Sequence, residues 1–293
     1  MAYYARNKQM ALIETKNLSY TYPNASHPSI SDVSIKIEKG EFVLITGPSG
    51  CGKTTLCRTF NGLIPQFYQG ELQGEINVAG LDASKHPTYE MAKHVGLVFQ
   101  NPENQLFALS VEKDVAFGLE NLGFDRKIMR ERVDWALNLT NVYDLRERSP
   151  HEMSGGQQQR VALAAVMAMQ PNIIVLDEPT SFLDPLSAEK IFEVIYDLNQ
   201  KLGLTVILVE HRLDLTAKYA NHIIIMDQGK VCFDGDTREI LINEGTRRLG
   251  VGIPKATLLY EIMQKEGTQL HGKTPLSSQE MATLIREALK GHA

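Results

Sequence analysis

The residues with the clearest chemical meaning are Gly47, Pro48, Ser49, Gly50, Cys51, Gly52, Lys53 and Thr54, which follow the spacing GxxxxGK[ST]. Glycines in such a run let backbone N–H groups converge on phosphate oxygens, and the helix N-terminus behind them adds a favourable dipole. Lys53 is placed to offset charge on the β and γ phosphates, and Thr54 to offer a hydroxyl to Mg²⁺; Thr55 is counted with the same cradle. A glycine turn without a ligand is the bland alternative. The match at every defined position, between an apolar run and a helix, disfavours it. Kinases, GTPases and motor ATPases share the pattern, so it fixes a ligand class and leaves the reaction open.

A second constellation closes the run Ile173-Ile174-Val175-Leu176-Asp177-Glu178. A buried strand ending in two carboxylates places them where a doubly wound sheet binds its ligand. Successive strand residues point to opposite sides, so the two acids need different roles. Asp177 is the candidate Mg²⁺ ligand, acting through water, and Glu178 the candidate general base for the attacking water. Two solvated residues ahead of Pro179 are the rival reading, weakened by the phosphate cradle upstream.

The elements that must position these groups alternate. Ala11–Tyr22, Ile30–Ile37, Glu41–Thr46, Glu75–Val78 and Val95–Val98 read as strands, with a helix from Lys53 to about Leu63. From Pro102 to Met153 no convincing strand occurs; helical spacing, as in Arg130, Val133 and Leu137, predicts an inserted helical subdomain. A helix from about Gly156 to Met169, the run Ile173–Leu176, a helix over Pro185–Leu202, and runs at Thr205–Val209 and Ile223–Met226 complete a parallel-sheet core. The domains expected are residues 1–101 with 154–236, then 102–153, then a helical extension over 237–293.

At 293 residues the chain can bury a sizeable core. A net charge of −5 argues against a nucleic-acid partner, a local basic patch aside. Cys51, Cys57 and Cys232 form no CxxC pair and fit free thiols in a reducing compartment. The longest apolar stretch, Val161–Met169, falls far short of the roughly 20 residues of a spanning helix, and Met1–Lys16 lacks the apolar centre of a signal peptide. A cytosolic location is expected, with membrane association through a partner.

Ser154-Gly155-Gly156-Gln157-Gln158, followed by Gln159-Arg160 and a helix, resembles the signature sequence of ABC cassettes and lies just before the Asp177 strand, as in that family. Ser154 and glycine N–H groups at a helix N-terminus form a second anion site. The resemblance implies that this site grips the γ-phosphate held by a second subunit, so that ATP is sandwiched in a dimer. It also implies an α/β P-loop NTPase fold with a mixed β-core, an inserted helical subdomain and a small helical C-terminal extension. Further positions match in the family's order. Tyr22 sits where an aromatic stacks on adenine, with Tyr20 an open alternative; Gln100 resembles the loop glutamine that senses Mg²⁺ and the attacking water. Ser181-Phe182-Leu183-Asp184 resembles the loop that crosses the dimer interface, with Phe182 where alanine is more usual. His211 resembles the switch histidine, flanked here by Glu210 and Arg212 in place of the commoner Thr and Asp. Met153 replaces the common Leu before the signature.

Val98-Phe99-Gln100-Asn101-Pro102-Glu103-Asn104-Gln105-Leu106-Phe107, with Val111–Gly118 and Glu120–Gly123, is similar to the ATPases of energy-coupling-factor importers. That similarity implies a peripheral subunit on the cytoplasmic face of the cell membrane, hydrolysing ATP to import a vitamin or transition-metal ion. Its implied partners are an identical or paralogous ATPase, a transmembrane coupling protein and a substrate-capture membrane protein. Asn101–Phe107 is then the docking surface, with Leu106 and Phe107 equally open to a core role. A soluble ABC ATPase of DNA repair or translation is the other-class reading; Gln100 to Ser154 leaves no room for its usual long coiled coil.

Overall fold

A computed structural model describes residues 11–268 and 270–291; Met1–Met10, Gln269, His292 and Ala293, which include part of Met1–Lys16 and of the expected extension over 237–293, lie outside the described residues. The described residues form two sheets with helices packed against them. Strands β1 (Ile13–Thr21), β2 (Ile30–Val33), β3 (Lys36–Ile37) and β4 (Phe42–Thr46) come first. Helix α1 (Lys53–Phe60), the single turn α2 (Leu63–Gln66), β5 (Glu71–Val78), β6 (Leu81–Asp82), α3 (Thr88–Met91) and β7 (Val95–Val98) follow. Helices α4 (Val111–Asn121), α5 (Arg126–Leu139) and α6 (Gly155–Ala168) lead to β8 (Ile173–Asp177), α7 (Pro185–Leu202) and β9 (Thr205–Val209). The remainder is α8 (Leu213–Thr216), β10 (His222–Asp227), β11 (Lys230–Asp236) and α9 (Thr237–Leu241), then α10 (Glu244–Arg248), α11 (Lys255–Lys265) and α12 (Ser278–Gly291).

Sheet order is β11-β10-β4-β9-β8-β7 in the larger sheet, parallel except for β11, and β2-β1-β5-β6 in the antiparallel one, with β3 also on β1. Every residue of β4, β8 and β9 is buried, the pattern of parallel strands covered on both faces. Because side chains alternate, the two faces feed different cores. Phe42, Leu44, Ile174, Leu176, Val206 and Leu208 pack with α4 to α7. Val43, Ile45, Ile173, Val175, Ile207 and Val209 pack with Leu56, Cys57 and Phe60 of α1 and with the antiparallel sheet. Each fully buried aliphatic side chain contributes roughly 1.5–3 kcal/mol, so the sheet that holds the carboxylates is fixed from both sides.

Local chemistry sets the helix ends. Asp184 accepts from the N–H groups of Leu186 and Ser187, both at 3.0 Å, Pro185 starts α7, and Gly203 at φ +63° ends it. Three expectations shift. The run Ile30–Ile37 splits into β2 and β3 at Ser34 and Ile35, where side chains interrupt the ladder to β1: Ser34 Oγ accepts from the Asn17 N–H, and the Thr15 hydroxyl bonds the Val33 carbonyl and the Ile35 N–H. The helix from Lys53 stops at Phe60, where Asn61 and the left-handed Gly62 break it. The edge strand β11 was not expected, its Lys, Asp and Gly content masking the alternation. Helix α6, grouped by sequence with the nucleotide core, packs extensively on α4 and α5. Among the described residues all three cysteines are free, and no helix is long and apolar enough to cross a membrane.

Candidate nucleotide-hydrolysis site

The loop between β4 and α1 is shaped by glycine. Gly47 has φ +143°, and a Cβ there would stand 2.0 Å from the Met226 carbonyl oxygen; at Gly52, φ +105°, it would meet the Ser29 carbonyl at 2.4 Å. No other residue fits either position. Lys53 is buried, and its ammonium donates to the Gly47 and Pro48 carbonyls, both at 2.9 Å. The Cys51 thiol lies 3.8 Å from that ammonium, and burial pushes its pKa up. Pro48, Ser49 and Gly50 are exposed at the mouth. A cleft of about 180 Å³ is lined by Ser29, Ser49, Gly50, Gly52, Lys53, Thr54, Thr55 and Glu178.

Asp177 ends β8 almost fully buried, with Oδ1 lacking any hydrogen-bond partner. Burial raises its pKa, and the Glu178 charge adds to that, while the Thr54 hydroxyl and the more distant Arg58 and Lys53 charges pull the other way. A buried carboxylate oxygen with no donor, beside a threonine hydroxyl, fits a hard cation with oxygen ligands. Glu178 steps out of the strand in the left-handed region, φ +48°, a conformation costing about 1–3 kcal/mol outside glycine. Its N–H is held by the Val209 carbonyl at 3.0 Å. Three side chains converge on its carboxylate: Gln100 Nε2 at 2.9 Å and Ser181 Oγ at 3.0 Å donate to Oε2, and His211 Nε2 lies 3.0 Å from Oε1. The fold thus gathers Gln100, Glu178 and His211 from the ends of three parallel strands, β7, β8 and β9.

The remaining predicted residues fall into three places. Tyr20 is fully buried with its hydroxyl donating to the Tyr68 and Gln69 carbonyls, whereas Tyr22 is half-buried and its hydroxyl lies 3.3 Å from Thr55 Oγ1 and accepts from Arg58 at 3.2 Å. Ser154, Gly155, Gly156 and Gln157 open α6 as a reciprocal capping box: the Ser154 N–H donates to Gln157 Oε1 at 3.0 Å and the Gln157 N–H to Ser154 Oγ at 3.4 Å. None of the four lines the phosphate-loop cleft. Asp184 is the α7 cap, its pKa lowered by the Ser187 hydroxyl and N–H. Leu106 is buried and Phe107 is 60% exposed, stacked edge-on with Phe117. Sequence reasoning missed Ser181 as a donor to Glu178; Ser three residues after the acid was the available signal.

A phosphate loop feeding two strand-end carboxylates defines a P-loop nucleotide hydrolase. The ABC transporter family model matches residues 30–181. A Pyrococcus abyssi protein named as an ABC transporter ATP-binding protein is 42% identical over 283 residues, covering 96% of this chain and 100% of the relative. The energy-coupling factor transporter ATP-binding protein of Clostridium perfringens is 42% identical over 265 residues, 88% of this chain and 92% of that one. Among solved structures, cbiO1 of Clostridium perfringens, described as part of the ABC transporter complex cbiONQ, superposes with a TM-score of 0.72 at 31% identity over 87% of this chain and 99% of that one. A dimeric ATP-binding cassette in a post-hydrolysis state with ADP and Pi gives 0.67 at 29% identity over 77% and 99%. The chain belongs to the ABC transporter family, as an ATP-binding cassette. It binds and hydrolyses ATP to power transport.

Proposed function

We propose that the chain is the ATPase subunit of an energy-coupling-factor-type importer for a vitamin or a transition-metal ion, seated on the cytoplasmic face of the membrane. The observation that carries this reading is the 42% identity to an energy-coupling factor ATPase along nearly the whole of both chains. It is supported by a groove of about 400 Å³ beside the loop glutamine, lined by Gln100 to Glu103, Gly155, Gln158, Phe182 and Leu183. In this reading a transmembrane coupling protein docks there, with exposed Phe107 and Leu109 alongside, and a separate membrane protein captures the cargo.

Two subunits, identical or paralogous, close on ATP. The Gly47–Thr55 cradle of one binds the phosphates, Tyr22 stacks on adenine, and Ser154 to Gln157 of the other offers N–H groups to the γ-phosphate. Asp184 follows the loop that crosses between them. Thr54, Asp177 through water, and Gln100 would hold Mg²⁺, which would supply charge neutralisation on the phosphates. Glu178 accepts the proton of the attacking water, while Gln100, Ser181 and His211 keep its carboxylate aimed. Outside the dimer the positive end of α6 is missing from the other half-site, so turnover stops.

Purifying the tagged chain from its native membrane and identifying what accompanies it tests the reading. Membrane proteins, with ATP-dependent uptake of a vitamin or metal ion in reconstituted vesicles, are the expected result. Ribosomes or nucleic acid in their place overturn it.

A further inference from the structure

The two unusual neighbours of His211 are tied to another loop of the site. Glu210 is only 3% exposed, and each of its oxygens is engaged. Oε1 accepts from the N–H groups of His211 at 2.9 Å and Arg212 at 3.2 Å, which fixes the turn after β9. Oε2 accepts from the hydroxyl of Thr180 at 2.6 Å, and Thr180 is itself fully buried. The Arg212 guanidinium lies 3.9 Å from Glu210 and donates to the carbonyls of Thr180 at 2.6 Å and Leu183 at 3.4 Å. The segment so held contains Ser181, which donates to Glu178 Oε2, and the turn so held contains His211, at Glu178 Oε1.

We infer that Glu210 and Arg212 are positioning residues that clamp the His211 turn to the Thr180–Leu183 loop, so that both donors reach Glu178 as one unit. Neither touches the cleft beside the phosphate loop. A charge-assisted, desolvated carboxylate is well suited to this, because its bonds are short and directional and do not exchange with water. The clamp also joins the segment assigned to the dimer crossing to the switch histidine, so that movement of one is felt by the other. The inference rests on the proposed roles of Glu178 and His211.

The test uses the full chain with Thr180→Val, which is isosteric and puts a methyl in place of the hydroxyl, and Arg212→Met, at a half-buried position, each compared with the wild type by circular dichroism and thermal melting. Each is made alone and in a His211→Ala background, with phosphate release from ATP followed long enough to measure slow turnover. If the clamp acts through the two donors, each variant lowers kcat about tenfold or more with KM for ATP within about twofold, and has an effect at least about threefold smaller once His211 is gone, the remainder passing through Ser181. Unchanged kcat, a rise in KM matching the loss in kcat, or an equal further loss in the His211→Ala background overturns it. Wild-type turnover in His211→Ala alone overturns the assignment of His211 beneath it, and that outcome is recognisable before either clamp variant is assayed.

Discussion

Two elements of this chain are built to meet phosphate, and they are built in opposite ways. Gly47–Thr54 relies on backbone conformations closed to other residues and on a buried lysine, and it faces Glu178 of the same chain. Ser154–Gln157 satisfies its own helix end by a capping box, exposes Ser154 and Gly155, and lines no part of the first cleft. The first is prepared by strain and burial, the second by local hydrogen bonds that leave its dipole pointing outward. An anion site that is finished locally yet lines no part of its own chain's phosphate cleft is suited to another molecule's ligand.

Several changes sharpen or break that contrast. Glu178→Gln removes the proton acceptor and leaves the cradle intact; ATP hydrolysis should fall about 10²–10⁴-fold with ATP still bound, measured by phosphate release and nucleotide titration. Gly47→Ala forces a Cβ against the Met226 carbonyl, so a loss of at least about 2 kcal/mol in unfolding free energy is expected by denaturant titration, together with loss of ATP binding. Gly155→Glu should behave otherwise, because a Cβ there meets only Leu183 at an ordinary 3.6 Å. In the Glu178→Gln background its carboxylate should abolish ATP-dependent dimers in size-exclusion chromatography while the affinity of one chain for ATP stays within about threefold. A dimer that persists would break the contrast.

The smallest expected effect lies at the other end of the sheet. Burial alone would pull the His222 imidazole down, yet hydrogen bonds to Asp234 and Glu41 outweigh it and hold the pKa up at about 9. Since this exceeds the ordinary value near 6.5, the stabilisation is full below about pH 6.5 and is lost as pH rises through about 9. Thermal unfolding between pH 6 and 10 should show a fall of a few degrees that His222→Gln flattens, with ATP affinity unchanged.

How much of this was legible depended on whether a signal was local. Helix α7 and strands β7 and β9 appear with the expected bounds, because Asp184-Pro185 and Gly203 mark one helix and short runs rich in Val, Ile and Leu mark the strands. The split between β2 and β3 goes with Thr15 and Asn17 of β1 bonding to Val33, Ser34 and Ile35 across the sheet, which no window of sequence contains. The same holds in the site. The spacing of Gly47–Thr54 and the Asp177-Glu178 pair could be read directly, but the convergence of Ser181 on Glu178 and the burial of Glu210 arise from three strand ends meeting. Tyr22 is favoured over Tyr20 on paper without the physical reason being visible there: Tyr20 is the last buried residue of β1, with its hydroxyl tied to the Tyr68 and Gln69 carbonyls, whereas Tyr22 falls just past the strand's end and stays partly open.

The alternation along β8 has a consequence for what kinds of change this lineage tolerates. Val175 belongs to the neighbourhood of α1 and the phosphate loop, and Leu176 to that of the helices on the opposite side. A substitution at either is answered within one neighbourhood. A single-residue insertion or deletion at the start of the strand would move the side chains that follow to the opposite face and displace both Asp177 and Glu178 from their places. The strand is free to drift in spelling and fixed in length.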